Sequence, residues 1–331
     1  MNGCLVDPVT GSLRLAAKLA EQPFGAATAT SVTQDQTASD AAFWFLRQRN
    51  AFLDWMFYDV ASLSALERDK VAMLAQSAGA MLVVSPSGGR SPQFYPTIED
   101  LAVSIHRDVR VAALAGVGST ALGAAALARN VADAVGEPVV TVISDYTIVD
   151  AMNEVMGGWF MFEAARRLTD PGRISEHTFV QSGRDVDTLA SLLSDDRFDL
   201  RLLVGHSKGG TTLSNALYRQ VRAKRRGEGP GPDKSRLIIT LGGAIVMPKG
   251  HTVIDVIGDF DALGWLNSDP RATIERRAPL AGHHTNTMAP NHLNVRSTIE
   301  TVLGDLAEND AWLLANKPNR RRLPEIAVVA D

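Results

Sequence analysis

The stretch Phe198–Arg222, FDLRLLVGHSKGGTTLSNALYRQVR, decides how the rest of the chain is read. An apolar run (Leu200, Leu202, Leu203, Val204) stops at Gly205, and beyond Gly210 the apolar residues Leu213, Ala216, Leu217 and Val221 return at helical spacing. The pattern is strand, abrupt turn, helix. The turn is GHSKG, residues 205–209, which has the G-x-S-x-G pattern of a nucleophile elbow. In such a turn a serine is thrust out at the end of a strand. Glycines two before it (Gly205) and two after it (Gly209) let strand and helix approach where a Cβ would not fit. The helix start brings positive dipole charge and backbone N–H groups beside Ser207, where an oxyanion would form. A phosphate-binding turn would need G-x-x-x-x-G-K-[ST], and Lys208 has no such spacing.

Composition narrows the class. With 331 residues, 45% of them hydrophobic and 21% charged, the chain has room for one large or two ordinary domains around a substantial core. A net charge of -4 gives no electrostatic case for nucleic acid. The single cysteine, Cys4, makes no internal disulfide and suits a reducing compartment. The first thirty residues lack a basic start followed by an apolar run, so the expected location is cytoplasmic. The weakly polar run Val111–Ala128 is too short and too rich in small residues for a membrane span.

Outward from the elbow, strand and helix patterns alternate. On the N-terminal side, AMLVVSPSG reads as a strand, GGRSPQFYPTIEDL is turn-rich, and RVAALAG (110–116), STALGAAALARNVADAVG and PVVTVISDY (138–146) form a β, α, β unit. QSGRDVDTLASLLSDD is an amphipathic helix. On the C-terminal side, RLIITLGGAIV (236–246) and TVIDVIGDF (252–260) are strands, and a last helix is expected over Val295–Leu306. Such alternation implies an α/β fold with a mainly parallel sheet flanked by helices.

Residues 81–310 would form that domain, residues 1–80 a helical extension packed on it, and residues 311–331 a tail. In the extension, Asp40–Gln76 is expected to be helical. Its aromatics Trp44, Trp55, Phe57 and Tyr58 are read as core or interface residues, or as a cover for an apolar cleft where a second copy of the chain or another apolar surface would dock. Met152, Val155, Met156, Trp159, Phe160, Met161 and Phe162 make an adaptable apolar segment, either packed on the sheet or serving as a lid or acyl-binding wall.

The glycines at 116, 118 and 123 open a rival reading. They follow a strand and start a helix, and Asp145 ends the next strand, as in a nucleotide-binding oxidoreductase. The spacing G-x-G-x-x-x-x-G departs from the G-x-G-x-x-G fingerprint. With a serine nucleophile downstream, the bare strand end has a better use, in which the N–H of Val117 or Gly118 approaches an oxyanion.

A serine hydroxyl needs a base to take its proton and a carboxylate to orient that base. Downstream of Ser207, IGDFDALG holds Asp259 and Asp261, and APLAGHHTNTMAPNHL holds His283, His284 and His292. Taken together, GHSKG at 205–209, GDFD at 258–261 and AGHH at 281–284 resemble the α/β-hydrolase superfamily on its lipase and esterase side, over roughly residues 105–306. They occur in that family's chain order of serine, acid, histidine.

The resemblance implies an α/β-hydrolase fold and hydrolysis of a carboxylic ester without a cofactor, with Lys208 supplying one oxyanion N–H. It points to Asp261, three residues after Gly258, rather than Asp259. It also points to His283, which follows a glycine, with His292 as the alternative base because it lies nearer the last helix. No HG or HGGG sequence is present, so the first oxyanion donor is sought at Val117 or Gly118. The Met/aromatic segment 152–162 and the early helices suggest an apolar acyl group, so a small-molecule or lipid-like ester, including a hydroxyacid ester, is expected ahead of a peptide. A non-catalytic scaffold that binds through Trp44–Tyr58 is the remaining alternative. His206 is read as structural, and His106, His177 and His251 are scattered with no spacing suited to a metal.

Overall fold

Successive side chains along a strand point to opposite faces of a sheet, and here both faces are apolar. In the computed structural model, residues 52–74, 77–116, 119–144, 183–227, 235–269 and 276–309 are described, with Ala272 and Ile274 between the last two segments. Val117, Gly118, Asp145, the Met/aromatic segment 152–162 and the 311–331 tail lie outside the described residues. So does the part of the N-terminal region before residue 52.

The strands are β1 (Met81–Val84), β2 (Gln93–Tyr95), β3 (Val111–Leu114), β4 (Val139–Val142), β5 (Leu202–His206), β6 (Leu237–Leu241), β7 (Thr252–Gly258) and β8 (Arg276–Ala278). They make one sheet in the order β2-β1-β4-β3-β5-β6-β7-β8. From β4 to β8 every neighbour is parallel, while β1 runs antiparallel to both β2 and β4. A mainly parallel sheet with an antiparallel edge needs helices on both faces to bury it.

Those helices are α1 (Ala65–Ala72), α2 (Ile98–Ala102), α3 (Ala121–Val135), α4 (Arg184–Ser194), α5 (Lys208–Arg226), α6 (Ala262–Asn267) and α7 (Val295–Asn309). One face of the sheet offers Leu82, Ala113, Val204, Ile239 and Val256 to α3, to α7 through Val295, Ile299 and Val302, and to Tyr58, Val60 and Leu63. The other face offers Val83, Leu114, Leu203 and Ile238 to α4 through Leu189 and Leu192, and to α5 through Leu213 and Leu217. Fully burying each such Val, Leu or Ile side chain contributes about 1.5–3 kcal/mol.

Two local expectations are corrected. The helix expected over Asp40–Gln76 is broken within its described part: residues 52–57 are helical, a 3₁₀ turn covers Val60–Ser62, and α1 starts afresh. The fresh start is set by Ser64, whose hydroxyl accepts the Glu67 amide while the Glu67 carboxylate accepts the Ser64 amide. That reciprocal cap begins a new helix instead of continuing the old one. Glu67 then reaches the buried guanidinium of Arg129 in α3 at 2.5 Å, fastening α1 to the domain. The stretch read only as turn-rich holds β2 and α2, the latter begun by a second such cap between Thr97 and Asp100.

Candidate active site

The site begins where β5 stops. Ser207 has φ 53° and ψ -124°, in the left-handed region that residues with a Cβ seldom occupy. Its amide donates to the Leu241 carbonyl at 2.8 Å, and its carbonyl accepts the Gly210 amide at 3.0 Å, so the turn is pinned from both sides. The flanking glycines are explained by contact. A Cβ at Gly205 would lie 2.6 Å from the Gly210 nitrogen, and one at Gly209 would run into the Leu114 carbonyl. At the end of β3, a Cβ on Gly116 would sit 3.0 Å from the Ser207 Cβ. Helix α5 starts at Lys208, directly after the serine, so its positive end lies next to Ser207 in the chain.

The acid is placed by a helix cap. Asp261 follows the end of β7 and accepts the Gly264 amide at 2.6 Å, beginning α6, and it is fully buried. The same oxygen, Oδ1, lies 2.8 Å from Nδ1 of His283. Nε2 of His283 lies 3.0 Å from Oγ of Ser207. A carboxylate only accepts, so Nδ1 carries the proton and Nε2 is left to take one from the serine. Gly242, at φ 69°, lets the chain pass close by, since a Cβ there would be 3.1 Å from both Asp261 Oδ2 and His283 Cε1. His284 donates to the Pro290 carbonyl and His292 bonds the Ala289 carbonyl, so the imidazole that reaches Ser207 is that of His283. Asp259 is exposed.

A strand-end serine on a mainly parallel, helix-flanked sheet is thus joined to an acid and a histidine that follow it in that order along the chain. The fold is that of an α/β-hydrolase. Among solved structures the chain is similar to an esterase from Pyrobaculum calidifontis, at 13% identity and a TM-score of 0.38, over 80% of this chain and 98% of that one. It is similar also to two proteins from metagenome libraries. One is a hormone-sensitive-lipase homologue (11% identity, TM-score 0.34, 87% of this chain and 100% of that one). The other is a hormone-sensitive lipase (12% identity, TM-score 0.33, 83% and 98%). No protein-family model and no curated protein matches the chain. At such identities no residue role transfers from those proteins to this chain.

Beside the aromatics Trp55, Phe57 and Tyr58, the same segment carries two acids, Asp54 and Asp59, that were not singled out from the sequence. Segment 52–59 is bonded on one side to Gly116 and Thr120 and on the other to Thr285, Asn286 and Thr287. On one side, Asp54 accepts from the Thr120 amide at 3.1 Å and from its hydroxyl, and the Tyr58 hydroxyl accepts the Gly116 amide at 2.5 Å. On the other side, the Trp55 carbonyl accepts from Asn286, the Phe57 carbonyl from Thr285, and Asp59 from the Thr287 hydroxyl. The Phe57 ring meets His283 edge-on at 6.1 Å. Asp54 and Tyr58 are one helical turn apart, and an acid and a phenol on one face of an aromatic-rich helix was the available signal.

Burial raises the Asp54 carboxyl to about 7 despite its hydrogen bonds to Thr120 and Gly123, and burial likewise pushes the Tyr58 phenol up. Burial lowers His206 to about 3, with the neighbouring His283 adding to the effect.

These contacts also account for two glycines of the rival nucleotide-binding reading. The space a Cβ would need at Gly116 is taken by Ser207 and Tyr58, and at Gly123 by Asp54 and Tyr58. Among the described residues, no group of three or more His, Cys, Asp or Glu side chains is placed to hold a metal ion. No described helix is long and apolar enough to cross a membrane.

Proposed function

We propose that the protein is a serine hydrolase that cleaves a carboxylic ester through an acyl-enzyme. The observation that carries this reading is one imidazole bridging Ser207 Oγ at 3.0 Å and Asp261 Oδ1 at 2.8 Å. In the reaction, Ser207 Oγ attacks the ester carbonyl carbon while His283 Nε2 takes its proton, and Asp261 holds Nδ1–H and stabilises the imidazolium. The carbonyl oxygen becomes an oxyanion beside the start of α5, where the Lys208 N–H stabilises it. Gly116 is not the second donor, because its N–H is given to Tyr58. That role is assigned to Val117 or Gly118.

Collapse of the tetrahedral intermediate expels the alcohol, which takes the proton from His283. A water deprotonated by the same imidazole then attacks the acyl-serine and releases the acid. No step calls for a cofactor.

An apolar acyl group, including a hydroxyacid ester, is the favoured substrate. The exposed apolar side chains Met56, Phe260, Leu280 and Met288 lie on the segments that bear the site, which supports that preference. The domain division proposed is a catalytic unit over 81–310 with residues 1–80 packed on it, and this extension supplies Asp54 and Tyr58.

The test is reaction of the folded protein with a fluorophosphonate, with the adduct located by peptide mass, alongside turnover of esters of graded acyl length. Ser207 is expected to be modified and Ser207→Ala to be inert to both. Folded protein that leaves the probe untouched would overturn the reading in favour of a binding scaffold.

A further inference from the structure

The mechanism leaves one imidazole of the site unused. His206 immediately precedes the serine, is 1% exposed, and its ring centroid lies 5.1 Å from that of His283. Both of its nitrogens are engaged. Nε2 is 2.8 Å from the main-chain oxygen of His283, and since a carbonyl only accepts, Nε2 carries the proton. Nδ1 is then a bare acceptor, and the Tyr58 hydroxyl stands 3.1 Å from it. That hydroxyl accepts the Gly116 N–H at 2.5 Å, which leaves its own proton for Nδ1. One tautomer and one direction of donation satisfy all three bonds, running from Gly116 through Tyr58 and His206 to His283.

We propose that His206, oriented by Tyr58, is a positioning residue that fixes the main chain of His283 so that its imidazole spans Ser207 and Asp261. The proposal rests on the serine-hydrolase reading above. His283 lies in the stretch 279–294, which has no strand or helix to hold it. The bond from His206 ties the peptide of His283 to the end of β5, one residue from Ser207. Nucleophile and base are thereby referred to the same strand end. A displacement of about 1 Å in such a pair costs on the order of a hundredfold in rate.

His206 is suited to this task because burial holds it neutral at working pH. Its ring meets those of Tyr58 and His283, and the charges of Asp261 and His284 also act on it. A second cation beside His283 would oppose the imidazolium that catalysis needs.

The experiment compares His206→Leu, His206→Gln and Tyr58→Phe with the wild type. Glutamine can present an amide N–H near the place of Nε2–H, whereas leucine cannot donate. Three readouts are taken: thermal melting, the rate of fluorophosphonate labelling together with kcat and KM, and the downfield proton resonance of His283 Nδ1–H. In folded His206→Leu, labelling and kcat are expected to fall about 10–100-fold with KM little changed, and the His283 resonance to broaden or disappear. His206→Gln should recover most of both, and Tyr58→Phe should fall between.

A folded His206→Leu variant with wild-type labelling and an unaltered His283 resonance would overturn the proposal, as would equal loss in the Gln and Leu variants. If His206→Leu does not fold, Tyr58→Phe decides on the same readouts. Wild-type protein that resists labelling defeats the hydrolase reading separately. The resonance then decides the positioning role alone, supporting it if lost in His206→Leu and restored in His206→Gln, and overturning it if retained.

Discussion

The main-chain carbonyl of Phe57 accepts two hydrogen bonds from Thr285, one from its amide at 2.7 Å and one from its hydroxyl at 2.9 Å, joining segments 228 residues apart. Thr285 is buried, so the isosteric Thr285→Val change removes the hydroxyl bond and keeps the amide bond. It should destabilise by about 1 kcal/mol, seen as a fall in Tm of about 2–4 °C. An unchanged Tm would mean that the hydroxyl contributes nothing to holding segment 52–59.

The two candidate bases separate by substitution. His283 reaches Ser207, while His292 bonds the carbonyl of Ala289. His283→Ala should lower kcat by about 10³-fold or more, with His292→Ala within a few-fold of wild type. The reverse pattern in steady-state turnover would reassign the base.

Asp54 gives stability a particular dependence on pH. Its carboxyl sits at about 7 in the folded protein against 3.8 ordinarily, so between those values the folded state holds a proton that the unfolded state has released. Stability therefore falls as pH rises from about 4 to about 7 and levels off above. Between pH 5 and pH 8 this one group should cost up to about 2–3 kcal/mol. Urea unfolding at the two pH values should show a clearly smaller difference for Asp54→Asn than for wild type. Equal differences would remove Asp54 as the source.

Glycine substitutions should divide by contact rather than by residue type. Gly205→Ala and Gly209→Ala drive a Cβ into the backbone of the elbow and of β3, and should abolish soluble folded protein or cost several kcal/mol. Gly304 lies in α7 with nothing within 4 Å of an added Cβ, and Gly304→Ala should stabilise by about 0.5–1 kcal/mol. Chemical denaturation of the three variants ranks them directly.

What could be read from residues alone was what is local in the chain. The apolar run into Gly205 and the spacing of Leu213, Ala216 and Leu217 placed β5 and α5, and Val111–Leu114 and Val139–Val142 likewise showed their strands. The order of Ser207, Asp261 and His283 was legible because a family resemblance supplied the spacing rules.

That Tyr58 belongs to the core and that His206 is structural was read from the sequence, but the partners that these two and Asp54 meet were not. Each depends on a partner 66, 58 or 77 residues away, and no period along the sequence encodes such a meeting. Helix α6 was missed for a related reason, since it runs for only six residues and starts from a carboxylate that also serves His283. The break before α1 could have been seen, because Ser64 and Glu67 stand at the spacing of a capping box.

The backbone at Ser207 carries a last implication. A serine held at φ 53° keeps a conformation that would relax if its Cβ were gone, so part of the chain's folding free energy is given up to present one hydroxyl. Replacing it by glycine should remove the hydroxyl and raise resistance to heat, seen as a higher Tm, because the cost of holding a Cβ at that φ goes with it.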